Sequence, residues 1–161
     1  LSGAVAFAHE VQNPRSYGVI ELGQDLKILS IEEKPSIPKS NLVIPGLYYF
    51  DSKATEYISR LKASDRGELE IVDLLKSYWR DGNLIVEKLQ RGTAWFDAGS
   101  PEALFGASEY IKILQERQGS LLGSPDEVAW RLGLINNSEL AMIAEASLNS
   151  SYGRALQRML S

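Results

Sequence analysis

Charged residues end an apolar run at residues 31–34, and their types suit the recognition of a sugar phosphate. Glu32, Glu33 and Lys34 close this run, and Pro35 then turns the chain outward. A carboxylate at the end of a strand can accept hydrogen bonds from sugar hydroxyls, and a neighbouring ammonium group can bind a phosphate as a point charge. Taken alone, the segment fits a solvated charged turn better, because such turns are common on protein surfaces.

Two more residues could bind a metal ion or a phosphate. Asp97 stands in the aromatic and glycine-containing segment 95–99, and magnesium prefers one or two carboxylates together with waters and substrate phosphates. The same aspartate could instead accept hydrogen bonds at a strand-to-helix turn. Arg66 precedes a predicted helix and could reach a phosphate, whereas we interpret Glu70 as a helix-capping residue, at a helix N-terminus whose dipole favours an acidic side chain.

Glycines stand where a ligand could approach the backbone. Gly18 begins a predicted strand, and a binding pocket or an ordinary edge glycine would explain it equally well. Pro45 and Gly46 interrupt an apolar run, where proline removes a ladder donor and glycine weakens packing, so a bulge that lines a pocket is one explanation. His9 lies in an apolar strand, and we interpret it as a packed or edge histidine rather than a catalytic base.

Both strands and helices are predicted in the first part of the chain, mostly strands in its first fifty residues and then helices around one further strand, and we expect a fold of the α/β class. Apolar runs predict strands at residues 3–11, 17–22, 26–33, 42–50 and 84–89. The second and third of these strands are expected to form a hairpin. The continuous apolar run 42–50 predicts a strand buried on both faces. Helical spacing and capping residues predict helices at residues 51–62, 69–80 and 101–118, the last of them capped by Ser100.

The composition changes at Gly119, after which every predicted element is a helix. Ser124 and Glu127 form a capping-box pattern before the first of these helices, and Asn136 or a neighbour caps the second. A last short helix is predicted over residues 152–160. The sequence therefore predicts an α/β body, 1–118, followed by a helical region, 119–161.

The bulk composition excludes several classes of function. The chain has 161 residues and a formal net charge of −4, which argues against a nucleic-acid partner because no basic excess would displace phosphate counterions. No apolar run approaches the roughly 20 residues of a membrane helix, so no membrane contact is expected. The absence of cysteine excludes disulfides and is compatible with a cytoplasmic location, and the single histidine excludes a multi-histidine zinc site.

The order of six segments resembles the bacterial glucose-1-phosphate thymidylyltransferases. These segments are YGVIEL, IEEKP, SNLVIPGLYYFD, RGELEI, RGTAWFDAGS and EVAWRLG. The resemblance extends from Gly3 to about Tyr152 and implies part of a nucleotidyltransferase (Rossmann-like) mixed sheet with packed helices and a C-terminal helical subdomain. Residues 1–118 would then be the sugar-phosphate-binding half of the nucleotidyltransferase domain, and residues 119–161 a helical assembly and regulatory region.

The resemblance also implies roles for individual residues in the formation of dTDP-glucose and pyrophosphate from dTTP and glucose 1-phosphate. The glucose pocket would be lined by Tyr17, Gly18, Glu33 and Ile44. The catalytic residues Lys34 and Arg66 would hold the phosphate. Asp97 would be one of two aspartates that bind Mg²⁺, with Trp95 packing beside it at the substrate site. A second, regulatory nucleotide site, where the end product of the dTDP-rhamnose pathway is thought to inhibit, would include Arg91, Glu127, Val128 and Arg131.

The resemblance implies a cytoplasmic homo-oligomer, a tetramer in the family, with its terminal helices at the subunit contacts. In the family, the glycine-rich loop and the partner aspartate precede the segment that corresponds to Leu1, and we therefore expect this chain alone not to transfer a nucleotide. Pro45 also stands where the family usually has a small or hydroxylated residue. Two alternatives stay open: a non-catalytic oligomerisation or nucleotide-sensing protein, and a related nucleotidyltransferase that uses another sugar phosphate.

Overall fold

The computed structural model describes residues 2–160 and divides the chain into two compact units, Leu1–Trp95 and Phe96–Ser161. Within the described residues, the first unit holds every strand and two helices, and the second holds four helices. The division after residue 118, which was predicted from a change in composition and concerns function, stays a prediction. No helix among residues 2–160 combines the length and apolarity that a membrane span requires.

The first unit is a mixed sheet with two helices, as the sequence predicted. Its strands are β1 Ala4–Glu10, β2 Gly18–Leu22, β3 Ile28–Glu33, β4 Leu42–Val43, β5 Tyr48–Phe50 and β6 Leu84–Lys88. Its helices are α1 Ala54–Ser59 and α2 Ile71–Arg80. The strands follow the order β3-β2-β4-β1-β5, all antiparallel, and β6 pairs in parallel with β1.

The prediction of one continuous strand over residues 42–50 is wrong. Strand β1 pairs with β4 at His9 and with β5 at Ala6, so the chain leaves the ladder over residues 44–47, opposite residues 7–8 of β1. The break contains Pro45 and Gly46, and within it the Leu47 N–H donates to the Pro45 carbonyl at 2.7 Å. The backbone N–H of Ile44 donates to the Gly18 carbonyl at 2.8 Å, which continues the pairing of β4 with β2.

Helix α2 anchors the core of the first unit. Its buried Val72 and Leu75 pack against the alanines and isoleucines of the sheet, while Leu74 and Tyr78 belong to a second buried cluster. The Tyr78 hydroxyl donates to Asp51 Oδ1 at 2.7 Å, and the backbone N–H of Gly3 donates to Asp51 Oδ2 at 2.8 Å. This carboxylate therefore ties the helix to the strand end at β5.

The second unit contains α3 Pro101–Gln118, α4 Pro125–Arg131, α5 Asn137–Ala146 and α6 Ser151–Met159. The predicted caps are confirmed: Ser100 accepts from the Ala103 N–H, and Asn136 forms a full capping box with Glu139. Ser124 accepts from the Glu127 N–H, but the Glu127 carboxylate accepts from Arg131 rather than closing the predicted box. A small core formed by Leu140, Ala144 and Leu156 holds α5 and α6 together, and Trp130 of α4 packs against it.

Candidate active site

The centre of the candidate site is the backbone at Gly18. In the β2–β3 hairpin Gly18 lies opposite Glu33, and the Gly18 carbonyl accepts from the Ile44 N–H at 2.8 Å. A Cβ added to Gly18 would lie 2.8 Å from Val72 Cγ2 and 3.2 Å from Glu33 Oε2. The absence of a side chain at Gly18 therefore lets the Glu33 carboxylate lie against the backbone. The structure thus brings together three residues that the resemblance placed in a sugar pocket.

Lys34 follows the hairpin in a left-handed turn. Its φ is 41°, a conformation that a lysine adopts at a cost in energy, and its N–H donates to the Tyr17 carbonyl at 3.0 Å. Lys34 Nζ lies 4.0 Å from Glu33 Oε1, and 43% of the lysine side chain is exposed. The turn thus places an exposed ammonium group beside the half-buried carboxylate.

Arg66 brings a second cation to Glu33. Its Nη1 lies 3.7 Å from Glu33 Oε1 and 3.5 Å from Glu70 Oε1, and its Nη2 lies 2.7 Å from Glu68 Oε2. The loop that carries Arg66 is closed by a hydrogen bond of 2.8 Å from the Ser64 N–H to the Glu68 carbonyl. The guanidinium group is therefore held at the site by a short, self-bonded loop.

The interpretation of Glu70 as a helix-capping side chain is wrong. Glu70 occupies the N-cap position of α2, but its carboxylate makes no hydrogen bond to the helix. It is buried, with 8% exposure, and accepts from the Ser64 hydroxyl at 2.8 Å while facing Arg66. Sequence reasoning missed this role because Glu70 precedes a helix, where capping is the common function of an acidic residue.

Burial and charge shift the acid-base properties of this cluster. Burial, with a further contribution from the nearby Glu70, raises the pKa of Glu33 above its usual value, although Lys34 and Arg66 act in the opposite direction. Burial and the nearby Glu33 also raise the pKa of Tyr48, a residue that the sequence analysis did not select. Partly dehydrated carboxylates between two cations can accept hydrogen bonds from hydroxyl groups while the cations bind a phosphate.

Aromatic rings border the same strand ends. The Trp95 ring meets the Tyr17 ring edge to face, with centroids 5.1 Å apart, and the His9 ring in the same way at 6.0 Å. His9 is therefore a packed histidine, as the sequence indicated. Through these contacts Trp95 lies beside Tyr17 in the first unit.

Asp97 belongs to the second unit, and it is exposed. A Cβ at Gly99 would lie 3.2 Å from Asp97 Oδ1, so the glycine leaves room for this carboxylate. Between residues 2 and 160 there is no group of three or more histidine or acidic side chains arranged to hold a metal ion. Asp97 could therefore supply one of the one or two carboxylates that magnesium takes together with waters and substrate phosphates.

The predicted regulatory residues lie in both units. Arg91 follows β6 and lines a groove with His9 and Lys88. In the second unit, Arg131 Nε donates to Glu127 Oε1 at 2.8 Å along α4, and Val128 is 54% exposed. The structure therefore brings Glu127, Val128 and Arg131 together on one helix.

Comparisons with known proteins identify the family of this chain. Residues 2–113 match the model of the family described as nucleotidyl transferase. The chain belongs to the nucleotidyl transferase family. It is 44% identical over 160 residues to glucose-1-phosphate thymidylyltransferase of Mycobacterium tuberculosis and 41% identical over 158 residues to that of Neisseria meningitidis. These matches include 99% and 98% of this chain but only 56% and 55% of the relatives, so the chain spans about half of their length.

Solved structures show the same fold. A putative glucose-1-phosphate thymidylyltransferase from Bacillus anthracis, in complex with a sucrose, has a TM-score of 0.59 and 39% identity over 68% of this chain and 43% of its own. A UDP-glucose pyrophosphorylase complexed with UDP-glucose has a TM-score of 0.60 and 26% identity over 69% of this chain and 44% of its own. The predicted α/β class and the predicted resemblance are both confirmed.

Proposed function

We propose that this chain supplies the sugar-phosphate half of the active site of a glucose-1-phosphate thymidylyltransferase. The observation that carries the proposal is the approach of Glu33 to the bare backbone at Gly18, with Arg66 Nη1 3.7 Å from Glu33 Oε1. The carboxylate and backbone suit the hydroxyl groups of a hexose, and the cations suit its phosphate. The similarity to thymidylyltransferases adds the choice of glucose 1-phosphate.

In the whole protein, the reaction would be a displacement at phosphorus. A phosphate oxygen of glucose 1-phosphate attacks the α-phosphorus of dTTP in line, and the bond to pyrophosphate breaks. Lys34 and Arg66 would hold the attacking phosphate, while Tyr17, Gly18, Glu33 and Ile44 would orient the sugar and Trp95 would border the substrate. Such positioning supplies most of the catalysis in phosphoryl-type transfer, where the protein does little covalent chemistry.

The remaining roles are proposed on the resemblance. Asp97 would contribute one carboxylate to a magnesium site that is completed by residues beyond those of this chain. Arg91, Glu127, Val128 and Arg131 would belong to a regulatory site for a dTDP-sugar, and titration with dTDP-rhamnose before and after Arg131→Ala tests that assignment. A cytoplasmic homo-oligomer with contacts through the second unit is proposed on the same basis, and light scattering of the purified chain measures its mass.

A related nucleotidyltransferase with another sugar phosphate is the second candidate. The fold shared with a UDP-glucose pyrophosphorylase complexed with UDP-glucose bears on the choice of nucleotide, because the sugar of that ligand is also glucose, and it leaves the sugar phosphate to be tested. A non-catalytic role in assembly or nucleotide sensing is the third. Titrations with glucose 1-phosphate, galactose 1-phosphate and mannose 1-phosphate distinguish the first two, and the absence of binding to every sugar phosphate would favour the third.

The decisive experiment compares two arginines by calorimetric titration of the chain with glucose 1-phosphate. Arg66→Ala is expected to weaken binding about tenfold or more, because a hydrogen bond to a charged group contributes about 1.5–3 kcal/mol. Arg60→Ala is the matched control. Arg60 is also exposed and pairs with a glutamate, Glu56, at 2.5 Å, but it is not one of the proposed site residues. Equal affinities in the native chain and Arg66→Ala would contradict the proposal.

Activity is tested separately. Assayed alone with dTTP, glucose 1-phosphate and magnesium, this chain is expected to release no pyrophosphate, because its sequence has no glycine-rich loop for a nucleoside triphosphate. Turnover clearly above the blank would contradict this expectation, and it would place a complete active site within the 161 residues.

A further inference from the structure

The guanidinium group of Arg66 faces two different sets of carboxylates. Its Nη1 points to Glu33 and Glu70 at 3.7 and 3.5 Å, distances longer than a hydrogen bond. Its Nη2 instead makes a direct contact of 2.7 Å with Glu68 Oε2. The shortest and best-formed ionic contact of this arginine is therefore made to a residue outside the Gly18–Glu33 pair.

The two sets also differ in exposure. The side chains of Glu33 and Glu70 are 21% and 10% exposed, and removing the arginine from them would leave charges in a partly dehydrated environment. The Glu68 side chain is 59% exposed, so its carboxylate can return to water at small cost. An exposed ion pair of this kind contributes little to stability.

The exchange of partners at Arg66 requires no movement of the backbone. Arg66 and Glu68 lie two residues apart on one loop, which is closed by hydrogen bonds from the Ser64 N–H to the Glu68 carbonyl and from the Gly67 N–H to the Ser64 carbonyl, both 2.8 Å. Rotation of the Glu68 side chain is enough to release Nη2, while the loop continues to hold the arginine near Glu33.

We propose that Glu68 is an internal competitor for the phosphate, and that its carboxylate occupies Nη2 of Arg66 until a phosphate oxygen displaces it. This inference rests on the proposed function, in which Arg66 binds the phosphate of the sugar. The direct contact lowers the affinity of the site in two ways: the ligand must break an existing ion pair, and its phosphate meets a negative charge nearby. Glu68 therefore sets how tightly the sugar phosphate is held without touching the sugar.

The test is the variant Glu68→Gln, which keeps the shape of the side chain and removes its charge. The matched control is Glu56→Gln, because Glu56 is also 59% exposed and also pairs with an arginine, Arg60, at 2.5 Å. Both variants remove one negative charge from the whole chain, so any general electrostatic effect is the same. Each is titrated with glucose 1-phosphate, inorganic phosphate and glucose, by calorimetry and by the NMR shifts of the Arg66 and Gly67 amides.

Glu68→Gln is expected to tighten the binding of glucose 1-phosphate and of inorganic phosphate about two- to fivefold, the factor that corresponds to an exposed ion pair of about 0.4–1 kcal/mol. Glucose binding and the Glu56→Gln control should not change. Equal or weaker phosphate binding in Glu68→Gln, with Arg66→Ala still weakening it, overturns this inference but leaves the proposed function intact. If Arg66→Ala does not weaken phosphate binding, both the inference and the proposed function are overturned. The absence of phosphate binding in both the native chain and Glu68→Gln also overturns the inference.

Discussion

The substitution Gly18→Ala tests whether the bare backbone at the site is required. The added methyl group would lie 2.8 Å from Val72 Cγ2 and 3.2 Å from Glu33 Oε2. Val72 is 1% exposed and β-branched, so it has few rotamers into which it can retreat. Overpacking of this kind costs about 1–3 kcal/mol, and the replacement of a strand glycine by alanine returns about 0.5–1 kcal/mol. These two ranges leave a net loss of about 0–2.5 kcal/mol in the free energy of unfolding, with a central value of about 1.3 kcal/mol.

Urea denaturation of Gly18→Ala measures this loss, and Gly46→Ala is the matched control. A Cβ at Gly46 would meet no atom within 4 Å, and Gly46 is not among the glycines with positive φ. Its free energy of unfolding should change by no more than about 0.5 kcal/mol. Glucose 1-phosphate should bind Gly18→Ala about tenfold more weakly, because the displaced Glu33 carboxylate would lose a charged hydrogen bond to the sugar.

A double-mutant cycle identifies the atom that causes the loss. In Gly18→Ala combined with Val72→Ala, the contact with Cγ2 no longer exists, so the two changes should be less destabilising together than their sum by at least about 0.5 kcal/mol. Sugar-phosphate binding should stay weak in the double variant, because the contact with Glu33 persists. Additive stability effects, or a Gly18→Ala variant as stable as the native chain, would refute this reasoning.

Three further predictions concern charge and capping. Because burial and Glu70 raise the pKa of Glu33, the charge of this residue opposes folding at neutral pH. At neutral pH, Glu33→Gln should therefore unfold at a higher urea concentration than the unmodified chain, and it should lose affinity for the sugar phosphate. As the pH falls through the raised pKa toward the ordinary value of 4.5, Glu33 takes up a proton, and the difference in unfolding free energy between the unmodified chain and Glu33→Gln should disappear. A difference that stays constant with pH would contradict this. Tyr78→Phe removes the hydrogen bond of 2.7 Å to Asp51 and should destabilise the first unit by about 1.5–3 kcal/mol in urea denaturation, an expectation that an unchanged midpoint would exclude. Asn136→Ala opens the capping box of α5 and should cost the second unit about 1 kcal/mol, measured as faster amide hydrogen exchange in that helix; unchanged exchange would show that the cap is redundant.

Local features of the fold could be predicted from the sequence because their causes are local. The caps at Ser100 and Asn136 depend on residues within the first turn of the helix that follows, and both are confirmed. Gly119 ends α3 with a φ of 66°, which is a property of glycine itself. The hairpin of residues 18–33 likewise follows from two apolar runs joined by a short turn, although that turn places Asp25 at an unpredicted φ of 55°.

Features that depend on distant partners could not be predicted. Apolar residues over 42–50 indicate burial but not the pairing partner, and the break in the strand appears only when β1 supplies the register. The role of Glu70 depends on Ser64 and Arg66, whose loop folds back over the start of α2. The grouping of the sugar-site residues came from the resemblance to a family, because the spacing of these residues along the chain does not show which of them meet.

The core and the candidate site share the same contacts, and this limits how each can change. Val72 packs where a Cβ of Gly18 would lie, and the Tyr17 carbonyl beside it fixes the turn at Lys34. A substitution that moves this backbone therefore alters stability and sugar binding together. Lys34 and Glu68 are exceptions, because their exposed side chains contribute little to the fold and in the proposed site would act on the phosphate through charge. Changes in affinity at small cost in stability should therefore arise at these two positions rather than in the sugar pocket.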